Sequence, residues 1–555
     1  MSLFSKAKAD LKYLRMNSNI LSDIGKRKKR RARSMVIGFV ISFIFAVTIL
    51  LALARLIPLD IIPNKYLYGG IAILAGVWLF CFLTQFAEKK LLGKIIAGAL
   101  SVALIFVFLF TSKVAGTLGK ISGGALEQKN VMDVVVLKKD KANTIDDTLK
   151  YPYAYNSTAD TSLVKQAVEM INKDHNAMIY TSTYTSWTDT YNALEENNSV
   201  KAVIVKDSLY ESLIKESYPD FYENTKVVGQ ITITTTVQSS VNDKKVAHDP
   251  FVLYISGNDE QGEIKSGGRS DVNIFMVVNP KTRQVLLIST PRDSYITISN
   301  EDGYKGKDKL THAGLAGVEY SELALSTLYD EKIDYYMKIN FTGVVNLVDA
   351  MGGVTVDSDV EFTNGRDAAP ISYDFKVGPN ECDGAKALAF CRERQTFEDG
   401  DFQRGRNQMA MIRAMIKKAT SPSILANYAE VLDATTGVVY TDMPTSSLAA
   451  LIKAQFSGGN DWNIQTYSAE GIDGTATGQV YGIKNMSVVR LYDHSVKIGR
   501  ELTDKIIAGE VFNVNEYVEQ RKKYYNGTGS DSHTTNKASY NTDDNDNNTY
   551  ENIGN

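Results

Sequence analysis

The stretch SGGRSDVNIFMVVNPKTRQVLLISTPRDS, residues 266–294, places charged pairs at the ends of two strand-like apolar runs. Arg269 and Asp271 precede the first run, and Arg292 and Asp293 follow the second. Burying a charge is costly unless it is paired or bound, so the pattern asks for a ligand or for ion pairs. Asp259 lies just upstream in SGNDEQG, and CRERQTFEDGDFQRGRNQ adds Arg392, Arg394, Arg404, Arg406 and Gln408. Arg392 and Arg394 share parity, so in an extended segment they point the same way. Arg404 and Gln408 are four apart and share a face if that segment is helical. Arginines that converge repel one another unless an anion lies between them, and their planar forks match phosphate oxygens. Two aspartates beside them fit Mg²⁺, which takes one or two carboxylates plus substrate phosphates. The constellation reads as a pyrophosphate site. The competing reading is a web of surface ion pairs, each contributing little, for which Glu393, Glu398 and Asp401 stand close by.

Other chemistries find little support. The chain has no CxxC, HExxH, Walker loop or GxSxG, and only three cysteines and five histidines. Cys382 and Cys391 flank a short expected helix, residues 384–390, which sets them too far apart for a disulfide. Both are expected to be unpaired, with Cys391 packing rather than reacting. A net charge of -3 over 555 residues gives no overall basic field, and no nucleic acid is expected as a partner.

The elements that must position these groups begin with a membrane anchor. Residues 35–57, 66–86 and 92–110 each approach the ~20 apolar residues needed to cross a bilayer. Before them comes GKRKKRRARS, residues 25–34, and between the last two AEKK, residues 87–90. Basic loops stay cytoplasmic, so three crossings place everything after residue 112 outside. The first span is too deep in the chain and too long for a cleavable signal peptide. The expected organisation is a basic cytoplasmic segment (1–34), three membrane helices (35–112), a linker (113–125), an accessory domain (126–245), a catalytic domain (246–525) and a disordered tail (526–555). ATP is scarce outside, which argues against a nucleotide-driven reaction.

Residues 126–245 alternate strand and helix patterns and predict a small parallel α/β sheet. Residues 246–525 predict a mixed α/β sandwich, with strands in FVLYISG, in residues 266–294, in DYYMKINF and in VTVDSDVEF. Helices are expected over YSELALSTLYD, over TGVVNLVDAMGG, from 401 to 418 and from 485 to 505. The tail is polar and too poor in aliphatic residues to order itself.

GGRSDVNIFMVVNP, LISTPRDSY, DKLTHAGLAG, DYYMKINFTGVVNLVDAMGGVTV and LAFCRERQTFEDGDFQRGRNQ occur in one order over some 270 residues. In this the sequence resembles the LytR–CpsA–Psr family. The three spans and the extra outer domain resemble its capsule-associated CpsA branch. The resemblance implies a membrane-bound phosphotransferase that moves capsular polysaccharide from a polyprenyl-pyrophosphate carrier to peptidoglycan, outside the membrane and with Mg²⁺. Carried over by motif, Asp259 and Asp271 match metal ligands. Arg292, Arg392, Arg394, Arg404 and Gln408 match the pyrophosphate set, with Lys309 a further basic position. Arg269 orients the aspartates or contacts phosphate, and Asp271 is a carboxylate that could take the acceptor proton. Asp293 is expected to anchor a neighbouring arginine, and the register leaves open whether Arg404 or Arg406 faces the ligand. LALSTLYD and VVNLVDAMGG either line a groove for the lipid tail or pack the core. Capsule export and assembly proteins are implied partners. The alternatives are a non-catalytic polyprenyl-lipid-binding regulator or scaffold of capsule biosynthesis, and a pyrophosphatase.

Overall fold

The computed structural model describes residues 8–528 except 20, 87–90, 122–125, 196–198, 238–243, 260–261, 263, 265–266, 422–423, 425–427 and 459–460. The AEKK turn and all of the tail beyond 528 fall outside the described residues.

Three helices, Asp23–Leu59, Asn64–Thr84 and Leu91–Ile121, are long and apolar enough to cross a membrane. The third overturns the expected linker, since residues 113–121 continue it. The reason is packing. Val114 and Leu118 share a helix face and are buried against Val438, Val439 and Ala449 of the C-terminal region, together with Leu59 and Ile61 of the first hairpin. Lys113 pairs with Asp433, and Lys453 reaches Asp60 at 2.6 Å and Asn64 at 3.1 Å. The second sheet region is therefore seated on one end of the helices rather than tethered to it.

The accessory region forms a five-stranded sheet in the order 180–184, 152–156, 202–206, 126–137, 225–237. It is mixed, not parallel as expected. Pro152–Asn156 runs parallel to both its neighbours, but Leu126–Leu137 is antiparallel to Ala202–Lys206 and to Thr225–Val237. The long ladder between Leu126–Leu137 and Thr225–Val237 joins the first and last strands of the region, and it carries the chain back to where it entered.

The second region is built on a six-stranded sheet in the order 439–441, 335–340, 251–258, 272–279, 284–289, 463–468. Strands buried on both faces read as continuous apolar runs, and alternate residues point to opposite layers. Val252, Tyr254, Phe275, Val277, Leu286 and Ile288 face Tyr329 and the Asp493–Ala508 helix. Leu253, Ile255, Ile274, Met276, Val285 and Leu287 face Met409 and Ile412 of the Asp401–Ala419 helix. This is the expected mixed α/β sandwich. In LALSTLYD, Ala324, Leu325 and Tyr329 are core residues, and in VVNLVDAMGG so are Val348 and Met351. One expected element differs: the stretch 485–505 is the strand Met486–Leu491 followed by the Asp493–Ala508 helix. The alternating MSVVRL favours a pleated surface and pairs with Gly471–Ala476.

Candidate pyrophosphate-binding site

Two strand ends, one turn and two helices meet at a cavity of about 180 Å3. Asp259 follows the Phe251–Asn258 strand, and Asp271 opens the Val272–Asn279 strand with its N–H donating to Gly257 O at 2.8 Å. The loop before Asp271 is fixed by Ser270, whose hydroxyl meets Tyr254 and Ser256, each at 2.8 Å. Arg292 stands on a turn after the Gln284–Ser289 strand. That turn is pinned by Thr311 N–H to Arg292 O at 2.9 Å and by Leu310 N–H to Ser294 O at 2.9 Å. The DKLTHAGLAG motif therefore acts on the site through the backbone.

Arg392 ends the Gly384–Arg392 helix, where a cation also favours the helix dipole. The parity argument for Arg392 and Arg394 does not apply, because Arg392 is helical and Arg394 follows the helix cap. Glu393, between them, is buried and structural: it accepts from Arg394 N at 2.8 Å, Thr396 N at 3.1 Å and Gly365 N at 2.5 Å. Arg404 and Gln408 share the buried face of the Asp401–Ala419 helix, each 8% exposed. The helix approaches the sheet closely because residue 405 is glycine, where a Cβ would stand 2.6 Å from Ser289 Oγ.

The structure brings Asp259, Asp271, Arg292, Arg392, Arg394, Arg404 and Gln408 to the wall of this one cavity. It places Lys309 beside the wall, against Asp293 at 3.1 Å. Arg269 points elsewhere: it pairs with Glu216 of the accessory region and donates to Ser212 O at 3.4 Å. Arg406 also turns away, toward Gln403 at 2.9 Å and Asp359 at 3.5 Å. Phe341, under the Arg392 guanidinium at 4.6 Å, is a wall residue that residue types alone did not single out. Its only signal was its place after the DYYMKIN strand. Cys391 and Cys382 are free, and burial pushes the Cys391 thiol up to about 12, far from a reactive thiolate.

The cavity wall carries as many carboxylates, Asp259, Asp271, Asp367 and Glu393, as guanidinium groups, and their pairing is uneven. Arg292 donates to Asp271 at 2.7 Å, and its Nε lies 3.6 Å from Asp401 and 3.7 Å from Asp293. That buried Nε has no hydrogen-bond partner among the described residues. Burial and the like charges of Arg292 and Arg394 hold the Arg404 guanidinium below its ordinary value, against the pull of Asp401 and Asp271. Burial raises Asp271, but Arg292 and Arg404 outweigh it and hold that carboxyl low. Burial and the Asp271 charge together push Asp259 up. Asp259 and Asp271 line the cavity together, and one or two carboxylates are what Mg²⁺ typically takes beside substrate phosphates. Among the described residues no three His, Cys, Asp or Glu side chains gather as a protein-only metal cage.

Comparison with known proteins gives a consistent family. The LytR_cpsA_psr family model matches residues 220–494. The polyisoprenyl-teichoic acid–peptidoglycan teichoic acid transferase TagU of Oceanobacillus iheyensis is 30% identical over 294 residues, covering 52% of this chain and 82% of that protein. TagU of Bacillus anthracis is 36% identical over 207 residues, covering 37% of this chain and 64% of that protein. This chain thus spans less than two thirds of the length of that relative. Among solved structures, B. subtilis TagV is 23% identical with a TM-score of 0.39, covering 48% of this chain and 99% of TagV. TagT bound to LIIa-WTA is 22% identical with a TM-score of 0.39, covering 49% and 95%.

Proposed function

Because this chain belongs to the LytR–CpsA–Psr family, we propose that it transfers a glycopolymer from a polyprenyl-pyrophosphate carrier to peptidoglycan on the outer side of the membrane. The observation that supports this most is the convergence of Arg292, Arg392, Arg394 and Arg404 on one cavity, where Arg392 has no carboxylate partner among the described residues. Four guanidinium groups beside four carboxylates around one small space suit a polyanion bound together with a cation. The relatives' names supply the class of donor and acceptor. The seating of the outer domain on the membrane helices supports a lipid-borne donor, since it holds the cavity's domain beside the bilayer. The N-terminal basic run supports a cytoplasmic start and hence an outer active site. Capsular polysaccharide is the proposed polymer, on the strength of the three spans and the accessory region.

In the proposed reaction an acceptor hydroxyl oxygen forms a bond to the sugar-linked phosphorus. The bond from that phosphorus to the bridging oxygen breaks, lipid phosphate leaves with the electron pair, and the acceptor proton passes to a base. Arg292, Arg392, Arg394 and Arg404 would hold non-bridging oxygens and spread the charge that develops in the transition state, the main service a protein offers phosphoryl transfer. Gln408 would donate to the same oxygens. Asp259 and Asp271 would hold Mg²⁺, which when bound neutralises phosphate charge. Asp271 is held low by Arg292 and is a poor proton acceptor, whereas Asp259 has the higher proton affinity.

The test is turnover. The full chain in detergent, given Mg²⁺, a polyprenyl-pyrophosphate oligosaccharide and peptidoglycan glycans, should form a phosphodiester-linked product detectable by mass spectrometry. Tight lipid binding with no product would replace the transferase by a scaffold. Release of free phosphorylated sugar alone would make the protein a pyrophosphatase.

A further inference from the structure

A second, larger cleft lies along the strand that leaves the Arg292 turn. The turn that carries Arg292 runs directly into the Tyr295–Ser299 strand. Ser294 bridges to Val489, whose N–H donates to Asp293 O at 2.8 Å. Around this junction the Gly471–Ala476 and Met486–Leu491 ribbon and the start of the Asp493–Ala508 helix enclose about 1280 Å3. Pockets for single small molecules run to ~300–1,000 Å3, so this cleft is sized for a stretch of polymer.

Its lining has a definite chemistry. Tyr295 and Tyr492 offer rings, and Ile472, 45% exposed, adds an apolar patch. Arg490 lies over the Tyr295 ring at 5.4 Å and donates to Thr475 O at 3.2 Å. Arg500 is held by two donations to Leu328 O, at 3.0 and 2.7 Å. Each uses only part of a five-donor fork, which leaves further N–H groups for a ligand. Lys307 and Lys497 add charge, so four cations face two acids, Asp473 and Asp493. Rings with an apolar patch receive sugar faces, and fixed guanidinium groups receive carboxylates.

We propose that this cleft holds the acceptor, a peptidoglycan glycan strand whose stem carboxylates meet Arg490, Arg500 and the lysines. This rests on the transferase reading above. Two observations favour the acceptor over the donor's sugar chain. The chain runs from the Arg292 turn directly into Tyr295, a lining residue of the cleft. Its excess of cations suits a strand with regularly spaced carboxylates.

The experiment measures binding, not turnover, on the full chain in lipid nanodiscs. The probes are soluble uncrosslinked peptidoglycan strands with stem peptides and, separately, a polyprenyl-pyrophosphate oligosaccharide. Two variants are made, Arg490→Ala with Tyr492→Ala, and the surface pair Lys307→Glu with Lys497→Glu, which keeps Tyr295, Tyr492 and Arg490 unchanged. Strand affinity should fall at least about tenfold in both, with lipid-pyrophosphate affinity unchanged, while Arg392→Ala should do the reverse. Unchanged strand binding in both variants overturns the proposal, as does loss of oligosaccharide affinity instead. Intact strand binding by a wild type that makes no product would remove the transferase reading and leave the cleft assignment standing.

Discussion

The two walls of the arginine cavity are built differently. On the sheet side Arg292 is locked to Asp271 at 2.7 Å, and Arg404 meets Asp401 at 3.2 Å. On the helix-end side Arg392 has no carboxylate partner among the described residues. It rests on Phe341 and donates to Ala368 O at 2.9 Å. Arg394 is 43% exposed at its side chain and lies 3.7 Å from Asp401. Asp271 neutralises Arg292 before any ligand arrives, Asp401 is shared by Arg292, Arg394 and Arg404, and Arg392 is still to be neutralised. The first wall is a fixed template, whereas the second gains its counter-ions from substrate. Substitutions on the two walls should therefore fail in different ways.

The largest effect is expected from Arg292→Ala. It leaves Asp271 buried and unpaired, a change that typically costs ~3–5 kcal/mol. Transfer should vanish and the melting temperature should drop together, as read by product analysis and calorimetry. A variant that keeps its melting temperature would erase the distinction between the walls. Arg392→Ala should abolish most transfer, by about 10²–10³-fold as for other charge-stabilising donors, with the melting temperature unchanged. Arg392→Lys should not rescue it, because an ammonium lacks the flat fork that rests on Phe341. Rescue by lysine would show that charge alone suffices there.

The template wall was more legible in the sequence than the other. Arg404 and Gln408 were assigned to one helical face from their spacing, and the helix Asp401–Ala419 carries them so. Asp271 and Arg292 follow from strand ends bracketed by apolar runs, a local pattern. Arg392 and Arg394 converge on the cavity, but not by the parity that predicted it, since a helix terminus lies between them. Arg269 shows the limit most plainly. Its partner Glu216 is 53 residues away in another region, and no spacing rule links two segments that meet only in the fold. The helical continuation over residues 113–121 was hidden for the same reason, because a Gly- and Lys-containing stretch becomes helix only through apolar contacts with Val438 and Val439.

Arg269 is a third case between the two walls, an arginine neutralised from outside the catalytic region. Partial desolvation raises the exposed Glu216 carboxyl, but Arg269, Lys309 and Arg292 outweigh it and hold it low. Glu216→Gln should therefore change the charge beside the cavity without opening a gap. A few-fold change in the apparent affinity for the lipid-linked donor is expected, with the turnover rate unchanged. If the rate falls as far as in Arg392→Ala, the accessory region belongs to the catalytic wall.

The smallest effect on transfer, and a necessary control on the comparison, concerns Glu322. Burial, then Asp442 and Glu319, push this carboxyl up to about 8 from 4.5, far from the arginines. A carboxyl raised on folding keeps its proton in the native state after the unfolded chain has lost it. Stability is then undiminished below pH ~4.5 and falls as pH rises toward about 8. The Asp271 pair has the opposite sign: its carboxyl is depressed, so its contribution is present at neutral pH and lost on acidification. Calorimetry of Glu322→Gln between pH 5 and 9 should flatten the alkaline decline and leave transfer at fixed pH unaltered. Carried below pH ~4, the same calorimetry reads the acid-side loss to which the Asp271 pair contributes, and Arg392→Ala should retain it in full. An acid limb that shrinks in Arg392→Ala would mean that the two walls titrate as one unit.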